Sequence, residues 1–121
     1  MEVTFVVARN LMDLSKVREA AKHISTDIQT CSNFDRLLSM LNAGPGDRRF
    51  KIIIDYSLYE DTGLENILFQ IGNVATLNEI SDIEFRSFVP HEKLPDLKEK
   101  YPEVKFVPRS KFFADLTSHL A

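Results

Sequence analysis

The sequence has very little cysteine, no tryptophan and no long apolar run. Cys31 is the single cysteine among 121 residues, which excludes an intramolecular disulfide and a cysteine-based metal site and is typical of a reducing compartment. No apolar stretch approaches the ~18 residues of a membrane span, and no charged N-terminal region precedes an apolar one as in a secretory signal. We therefore expect a soluble, cytoplasmic protein without membrane contact.

An excess of positive charge is also missing. The formal net charge is −3, so no general electrostatic attraction for nucleic acid is expected. The three histidines, His23, His91 and His119, lie far apart without ligand spacing, which argues against a metal site. With 44% hydrophobic and 27% charged residues, the composition is typical of a globular protein, and the length predicts one domain over residues 1–121.

Compact apolar runs alternate along the chain with segments of helical periodicity. Strands are predicted at 3–8, 26–31, 50–54, 83–89 and 104–107, and amphipathic helices over 11–24, 34–41, 64–75 and 111–120. Residues 91–101 predict a short helix at best, with Pro95 tolerated only in its first turn. This alternation predicts an α/β fold with three αβα layers and a five-stranded parallel sheet. The small size favours the flavodoxin-like (βα)5 strand order 2-1-3-4-5.

The stretch FKIIIDYSLYEDTG, residues 50–63, stands out from the rest of the chain. A short β-branched run is typical of a strand buried on both faces, and this one ends abruptly at Asp55. Open α/β sheets bind ligands at the carboxyl ends of their strands. The position of Asp55 therefore indicates a functional carboxylate.

In element order and in several residues, the chain resembles the receiver domains of two-component response regulators. In that family a phosphoacceptor Asp ends the third strand and a Gly follows eight residues later, as Asp55 and Gly63 do. The resemblance gives Ser87 as the family's Ser/Thr at the end of the fourth strand and Phe106 as its aromatic switch residue on the fifth. Arg109 then stands where the family has a Lys.

Departures from the receiver pattern concern the phosphorylation apparatus. Receivers carry an acidic pair after the first strand that holds Mg²⁺ together with the phosphoacceptor, whereas this junction contains Arg9 and Asn10. Mg²⁺ requires several oxygen ligands, mostly carboxylates and waters. The family's Pro in the turn after the phosphoacceptor is Tyr59 here. The resemblance therefore implies a degenerate pocket that binds no metal and no cofactor.

Two arrangements of this pocket remain open. In the first arrangement, Arg9 lies in the volume of the missing metal and pairs with Asp55, since Arg binds carboxylates in a bidentate way. Arg109 is a further candidate for this pairing. Alternatively, Asp55 caps a neighbouring helix or turn and Arg9 lies in solvent. Ser87 and Phe106 could also have structural roles alone. The Ser87 hydroxyl would then hydrogen-bond to nearby backbone, and the Phe106 ring would pack in the core or on the surface.

The function that follows is that of a pseudo-receiver, which is not an enzyme and signals by docking to a partner protein. The resemblance places the docking face on the fourth helix, the fifth strand and the last helix. The predicted contact residues are Leu94, Leu97, Tyr101, Phe106, Phe112 and Phe113. Since adjacent phenylalanines on one helix cannot both point inward, one of Phe112 and Phe113 is expected to be an exposed anchor unless it folds over the sheet edge. A homodimer through this face also remains open.

Two alternative functions are weaker. A working receiver would be phosphorylated on Asp55 and would need Glu60 or Asp61 to improvise a metal site. A flavin-binding domain would need a phosphate loop rich in Ser, Thr and Gly after the first strand, and the sequence ARNLMD at 8–13 supplies none of these residues.

Overall fold

The computed structural model describes residues 2–43, 49–80 and 82–121, and for Asp61 and Thr62 the backbone alone. The strands are β1 Glu2–Val7, β2 Asp27–Cys31, β3 Arg49–Asp55, β4 Ile83–Val89 and β5 Lys105–Pro108. The helices are α1 Leu11–Ala21, α2 Phe34–Ala43, α3 Tyr59–Thr62, α4 Leu64–Leu77, α5 Leu94–Lys100, α6 Arg109–Ala114 and α7 Leu116–Leu120. Single 3₁₀ turns at Tyr56–Leu58 and His91–Lys93 precede α3 and α5.

All five strands pair in parallel in the order β2-β1-β3-β4-β5. The predicted fold class and strand order are therefore confirmed. The β-branched run of β3 lies in the middle of the sheet, between β1 and β4, because it is apolar on both faces.

Alternation along the strands divides the core between two layers of helices. One face of the sheet packs against α2 and α4 through Phe5, Val7, Ile52, Ile54, Leu37, Leu41, Ile67 and Ile71. The other face packs against α1 and the C-terminal helices through Val6, Ile53, Phe88, Leu14, Val17, Phe112 and Leu120. Because Asp55 is two residues beyond Ile53, it belongs to the second face, towards α1 and α6.

Two helical regions differ from the prediction. The last helix begins at Arg109 and is interrupted at Asp115, where the backbone leaves helical geometry, so that 109–120 forms α6 and α7. The turn after β3 forms the short α3, which ends at Gly63 with a φ of 78°. This positive φ is accessible to glycine at little cost and explains the residue at this junction.

None of the helices in the described part of the chain is long and apolar enough to cross a membrane.

Candidate functional site

An open pocket of about 700 Å³ lies at the carboxyl end of the sheet. Parallel strands end at the same edge, so the junctions after β1, β3, β4 and β5 meet there. The lining residues are Arg9, Asn10, Asp55, Tyr56, Ser57, Glu60, Pro90, Glu92, Lys93 and Arg109. Four residues predicted to share a pocket, Arg9, Asn10, Asp55 and Arg109, are therefore brought together.

The Asp55 carboxylate is buried at the base of this pocket, with its side chain 5% exposed. Ser57 donates its hydroxyl to Oδ2 over 2.7 Å, and Arg109 donates Nη1–H to Oδ1 over 2.7 Å. Asp55 makes no side-chain hydrogen bond to the backbone of the turn that follows. The alternative in which Asp55 caps that turn is therefore wrong.

Arg109 joins Asp55 to a second buried acid, Asp13. Its Nη2 donates to Asp13 Oδ2, and the Asp13 side chain is 8% exposed. Asp13 lies in the first turn of α1, one residue before the buried Leu14 and four before the buried Val17. One guanidinium thus binds a carboxylate from α1 and a carboxylate from β3, which is the bidentate use that distinguishes Arg from Lys.

Two aromatic rings that contact each other also lie close to this guanidinium. The Cζ atom of Arg109 lies 5.5 Å from the ring centroid of Phe88 on β4 and 5.3 Å from that of Phe113 on α6. Both distances fall within the range of cation–π attraction. The Arg109 side chain is 36% exposed, so it closes the base of the pocket while remaining in contact with solvent.

Arg9 and Asn10 occupy the rim above this base. The Asn10 side chain accepts a hydrogen bond from the Met12 backbone N–H over 2.9 Å and caps α1. Arg9 is an exposed lining residue of the pocket. Among the described residues, Asp55 and Asp13 both form their ion pairs with Arg109, which corrects the prediction that Arg9 pairs with Asp55: α1 brings Asp13 next to the guanidinium that Asp55 binds.

Ser87 is not part of this pocket, contrary to prediction. Strand β4 continues for two residues beyond it to Val89, and Ser87 pairs with Ile54, one position before Asp55. Alternation therefore turns its fully buried side chain towards the α4 side of the sheet. There its hydroxyl donates to the Ile54 carbonyl over 2.9 Å and accepts from the Tyr59 hydroxyl over 2.5 Å.

Tyr59 covers Ser87 and connects the pocket region with the α5 side of the fold. Burial raises the pKa of the Tyr59 phenol, and the nearby Tyr56, Tyr101 and Asp55 raise it further, although the hydrogen bond with Ser87 opposes the shift. The phenol therefore stays protonated and donates its hydrogen to Ser87. Its ring packs against the cluster that contains Phe106.

The predicted docking residues differ in burial. Phe106 and Phe112 are 6% and 1% exposed, so neither can contact a partner in this conformation. Phe113 is half-buried and packs edge-on against Phe88 of β4 at 5.5 Å. Of the two alternatives, an exposed anchor and a ring folded against the sheet, the structure shows the second. Three residues remain half-buried on α5 and just after it: Leu94, Leu97 and Tyr101.

The side chains at this site do not fit the Mg²⁺ of receiver domains. Mg²⁺ is usually held by one or two carboxylates and several waters, but the two carboxylates available here, Asp13 and Asp55, are already bonded to Arg109. Among the described residues, no group of three His, Cys, Asp or Glu side chains could hold a metal. Glu60 lines the pocket, whereas the Asp61 side chain lies outside the described residues.

Two contributors to the site were not predicted: Asp13 and Ser57. For Asp13 the sequence does carry a signal, because an acid on the buried stripe of a helix, three residues after an N-cap candidate, requires a partner. For Ser57 no local pattern distinguishes a site residue from an ordinary turn residue.

Comparison with known proteins establishes the fold and leaves the activity open. No family model matches the sequence, and no curated protein matches it. Among solved structures, the bacteriophytochrome response regulator RtBRR is 17% identical with a TM-score of 0.66, covering 96% of this chain and 76% of its own. A response regulator receiver protein from Dyadobacter fermentans DSM 18053 is 14% identical with a TM-score of 0.66, covering 99% and 95%.

A de novo designed Rossmann 2x3 fold protein matches equally well. It is 15% identical with a TM-score of 0.68, covering 98% of this chain and 88% of its own. A designed scaffold therefore shares the architecture as closely as receiver domains do. Function has to be argued from the side chains of the site rather than from the fold.

Proposed function

We propose that this chain is a receiver-like module of signal transduction that acts by binding a protein partner and is not phosphorylated. The observation that carries the proposal is the position of Arg109, whose guanidinium lies between the carboxylates of Asp13 and Asp55. Receiver domains among the structural neighbours support the signalling class.

The first argument concerns the cation that phosphoryl transfer needs. Catalysis of that transfer consists largely of positioning and of neutralising charge on the phosphoryl oxygens, which metal ions perform. A divalent ion entering this pocket would have to displace Arg109 from both acids and would also lie near Arg9. Repulsion between like charges opposes this at every step.

The second argument concerns Asp55 as a nucleophile. Both of its carboxylate oxygens are hydrogen-bonded, one to Arg109 and one to Ser57, and the residue is 3% exposed. Attack on phosphorus would require one oxygen to give up a charge-assisted hydrogen bond and become accessible. Ser87, fully buried and bonded to Tyr59, could not contact a phosphoryl group without breaking that hydrogen bond.

Signalling without phosphorylation leaves protein binding as the activity, which makes the chain a non-enzymatic module. The half-buried residues Leu94, Leu97 and Tyr101 form the docking face that we propose. A cytoplasmic location and self-association through this face belong to the same proposal, and sedimentation velocity over a range of protein concentrations tests the latter.

The phosphorylation part is tested with acetyl phosphate and Mg²⁺. The protein and its Asp55→Asn variant are incubated with this small phosphodonor, and intact mass is measured, with an active receiver domain as a positive control for the reagent. We expect no phosphoryl adduct on either variant. An adduct on the unmodified chain that is lost in Asp55→Asn contradicts the proposal.

The docking part is tested with a photo-crosslinking amino acid at Lys98, an exposed position on α5, and at Lys22, an exposed position at the end of α1. We expect the photo-crosslinking amino acid at position 98 to give one discrete crosslinked product. This product should persist when Asp55→Asn is added, and it should be absent when the crosslinker is at position 22. Equal products from both positions, or a product that depends on Asp55, contradict it.

A further inference from the structure

We infer that the guanidinium of Arg109 is the resident cation of this pocket, and that this one side chain excludes divalent cations from Asp13 and Asp55. The inference deepens the proposed function and rests on it, since both assume that the unmodified chain binds no metal. It goes further in assigning the exclusion to Arg109 rather than to the missing acidic pair.

The charge arrangement supports this assignment. Asp13 and Asp55 have side chains that are 8% and 5% exposed, and both are bonded to Arg109. Without a cation between them, two buried carboxylates would face each other, because they come from different elements that the fold brings together at this point. Such a pair needs a positive partner, and the chain supplies it from the start of α6.

The orientation of the Arg109 side chain is also fixed by its contacts. The guanidinium lies within 5.5 Å of the ring centroids of Phe88 and Phe113, which contact each other, while its two Nη atoms contact α1 and β3. Contacts with four elements, α1, β3, β4 and α6 itself, define one orientation. A long Lys side chain at position 109 could not bond both acids in this planar way.

The gap that Arg109 fills is suited to a hydrated divalent ion. Asp13 Oδ2 and Asp55 Oδ1 bond to the two Nη atoms of one guanidinium, so both acids border the space that this group fills. Mg²⁺ binds oxygen at about 2.0–2.1 Å and retains several waters, so it can bridge two carboxylates directly or through one of those waters. The side chains of Asn10 and Ser57 line the same pocket and can hydrogen-bond such waters.

The test compares two substitutions that remove one positive charge each from the same pocket. Arg109→Met keeps an unbranched apolar side chain next to Phe88 and Phe113 but vacates the space between the acids. Arg9→Met removes a cation from the rim and leaves Arg109 in place, so it is the matched control. Mg²⁺ is titrated into each variant and into the unmodified chain at constant ionic strength, with amide chemical shifts and thermal midpoints as readouts.

We expect saturable shifts at the amides of Asp13, Asp55 and Ser57 in Arg109→Met alone, and a thermal midpoint that rises with Mg²⁺ in that variant alone. Addition of Asp13→Asn to Arg109→Met should abolish both responses. If Arg109→Met is unfolded without metal, Mg²⁺ should refold it.

Three outcomes overturn the inference. They are a folded Arg109→Met variant that does not respond to Mg²⁺, an unfolded one that Mg²⁺ fails to refold, and equal responses in Arg9→Met and Arg109→Met. In each of these cases, the proposed function is not contradicted as long as the unmodified chain shows no response to Mg²⁺. Saturable Mg²⁺ binding by the unmodified chain contradicts the inference and the proposed function together.

Discussion

The contribution of Asp13 to stability should change sign when Arg109 is replaced. In the unmodified chain, Asp13→Asn removes a charged acceptor from a hydrogen bond to Arg109. Hydrogen bonds to charged groups contribute roughly 1.5–3 kcal/mol, and the 36% exposure of Arg109 reduces this. We expect Asp13→Asn to lower the free energy of unfolding by about 1–2 kcal/mol.

Arg109→Met should cost more, because it leaves two carboxylates without their cation. Breaking a fully buried pair costs roughly 3–5 kcal/mol, so we expect about 2–4 kcal/mol at this partly exposed site. In that background Asp13→Asn removes the repulsion between the acids, which is on the order of 1 kcal/mol or more at an effective dielectric constant of ~20. Asp13→Asn should therefore stabilise the Arg109→Met protein.

Urea unfolding of the four members of this double-mutant cycle, followed by circular dichroism without divalent ions, measures both effects. Glu99→Gln, at an exposed position on α5, is the control for removing a surface carboxylate and should change the stability by less than about 0.5 kcal/mol. Additive effects of the two substitutions, or a neutral Asp13→Asn in the unmodified chain, would refute the reasoning.

The remaining predictions concern the core and the pH dependence. Tyr59→Phe, which removes the hydroxyl bonded to Ser87, should cost about 1 kcal/mol in urea unfolding, and an unchanged midpoint would show that this bond contributes nothing. Phe112→Ala should cost about 3–5 kcal/mol because the ring is 1% exposed and stacks on Phe88 at 4.2 Å. Phe113→Ala, which removes a half-buried ring, should lower the free energy of unfolding by no more than about half as much. Equal losses for the two substitutions would contradict this difference in burial. Burial, followed by the charge of Arg86, lowers the pKa of His119 below 6.5. Since the folded state favours the neutral imidazole, stability should fall as the pH drops from neutral through the lowered pKa, and His119→Gln should reduce that slope in urea midpoints measured across the range.

The architecture was predictable because its signals are local. The apolar run at 50–54 identified the central strand, strict alternation of strands and helices identified the parallel sheet, and the small size of the chain favoured the strand order that the sheet has. The tolerance of Pro95 only in a first turn also agrees with α5, which begins at Leu94.

The site was predictable only in part, because its bonds join residues distant in sequence. The carboxyl end of β3 marks Asp55, but the choice between Arg9 and Arg109 as its partner depends on how α1 and α6 pack. Ser87 was misplaced because it pairs with Ile54, one position before Asp55, and a difference of one residue in register puts its side chain on the opposite face of the sheet. Asp13 shows that a buried acid on a helix can be recognised from periodicity, while its partner cannot.

The most direct test of the central claim is a titration of the unmodified protein with Mg²⁺ followed by beryllofluoride, observed through amide chemical shifts. Beryllofluoride stands in for a phosphoryl group on the carboxylate and requires the divalent ion. The arrangement of Asp13, Arg109 and Asp55 predicts no saturable change at Asp55 or Phe106. Saturating shifts that extend from Asp55 to Phe106 would show that the pocket accepts a metal and a phosphoryl group, and would contradict the account.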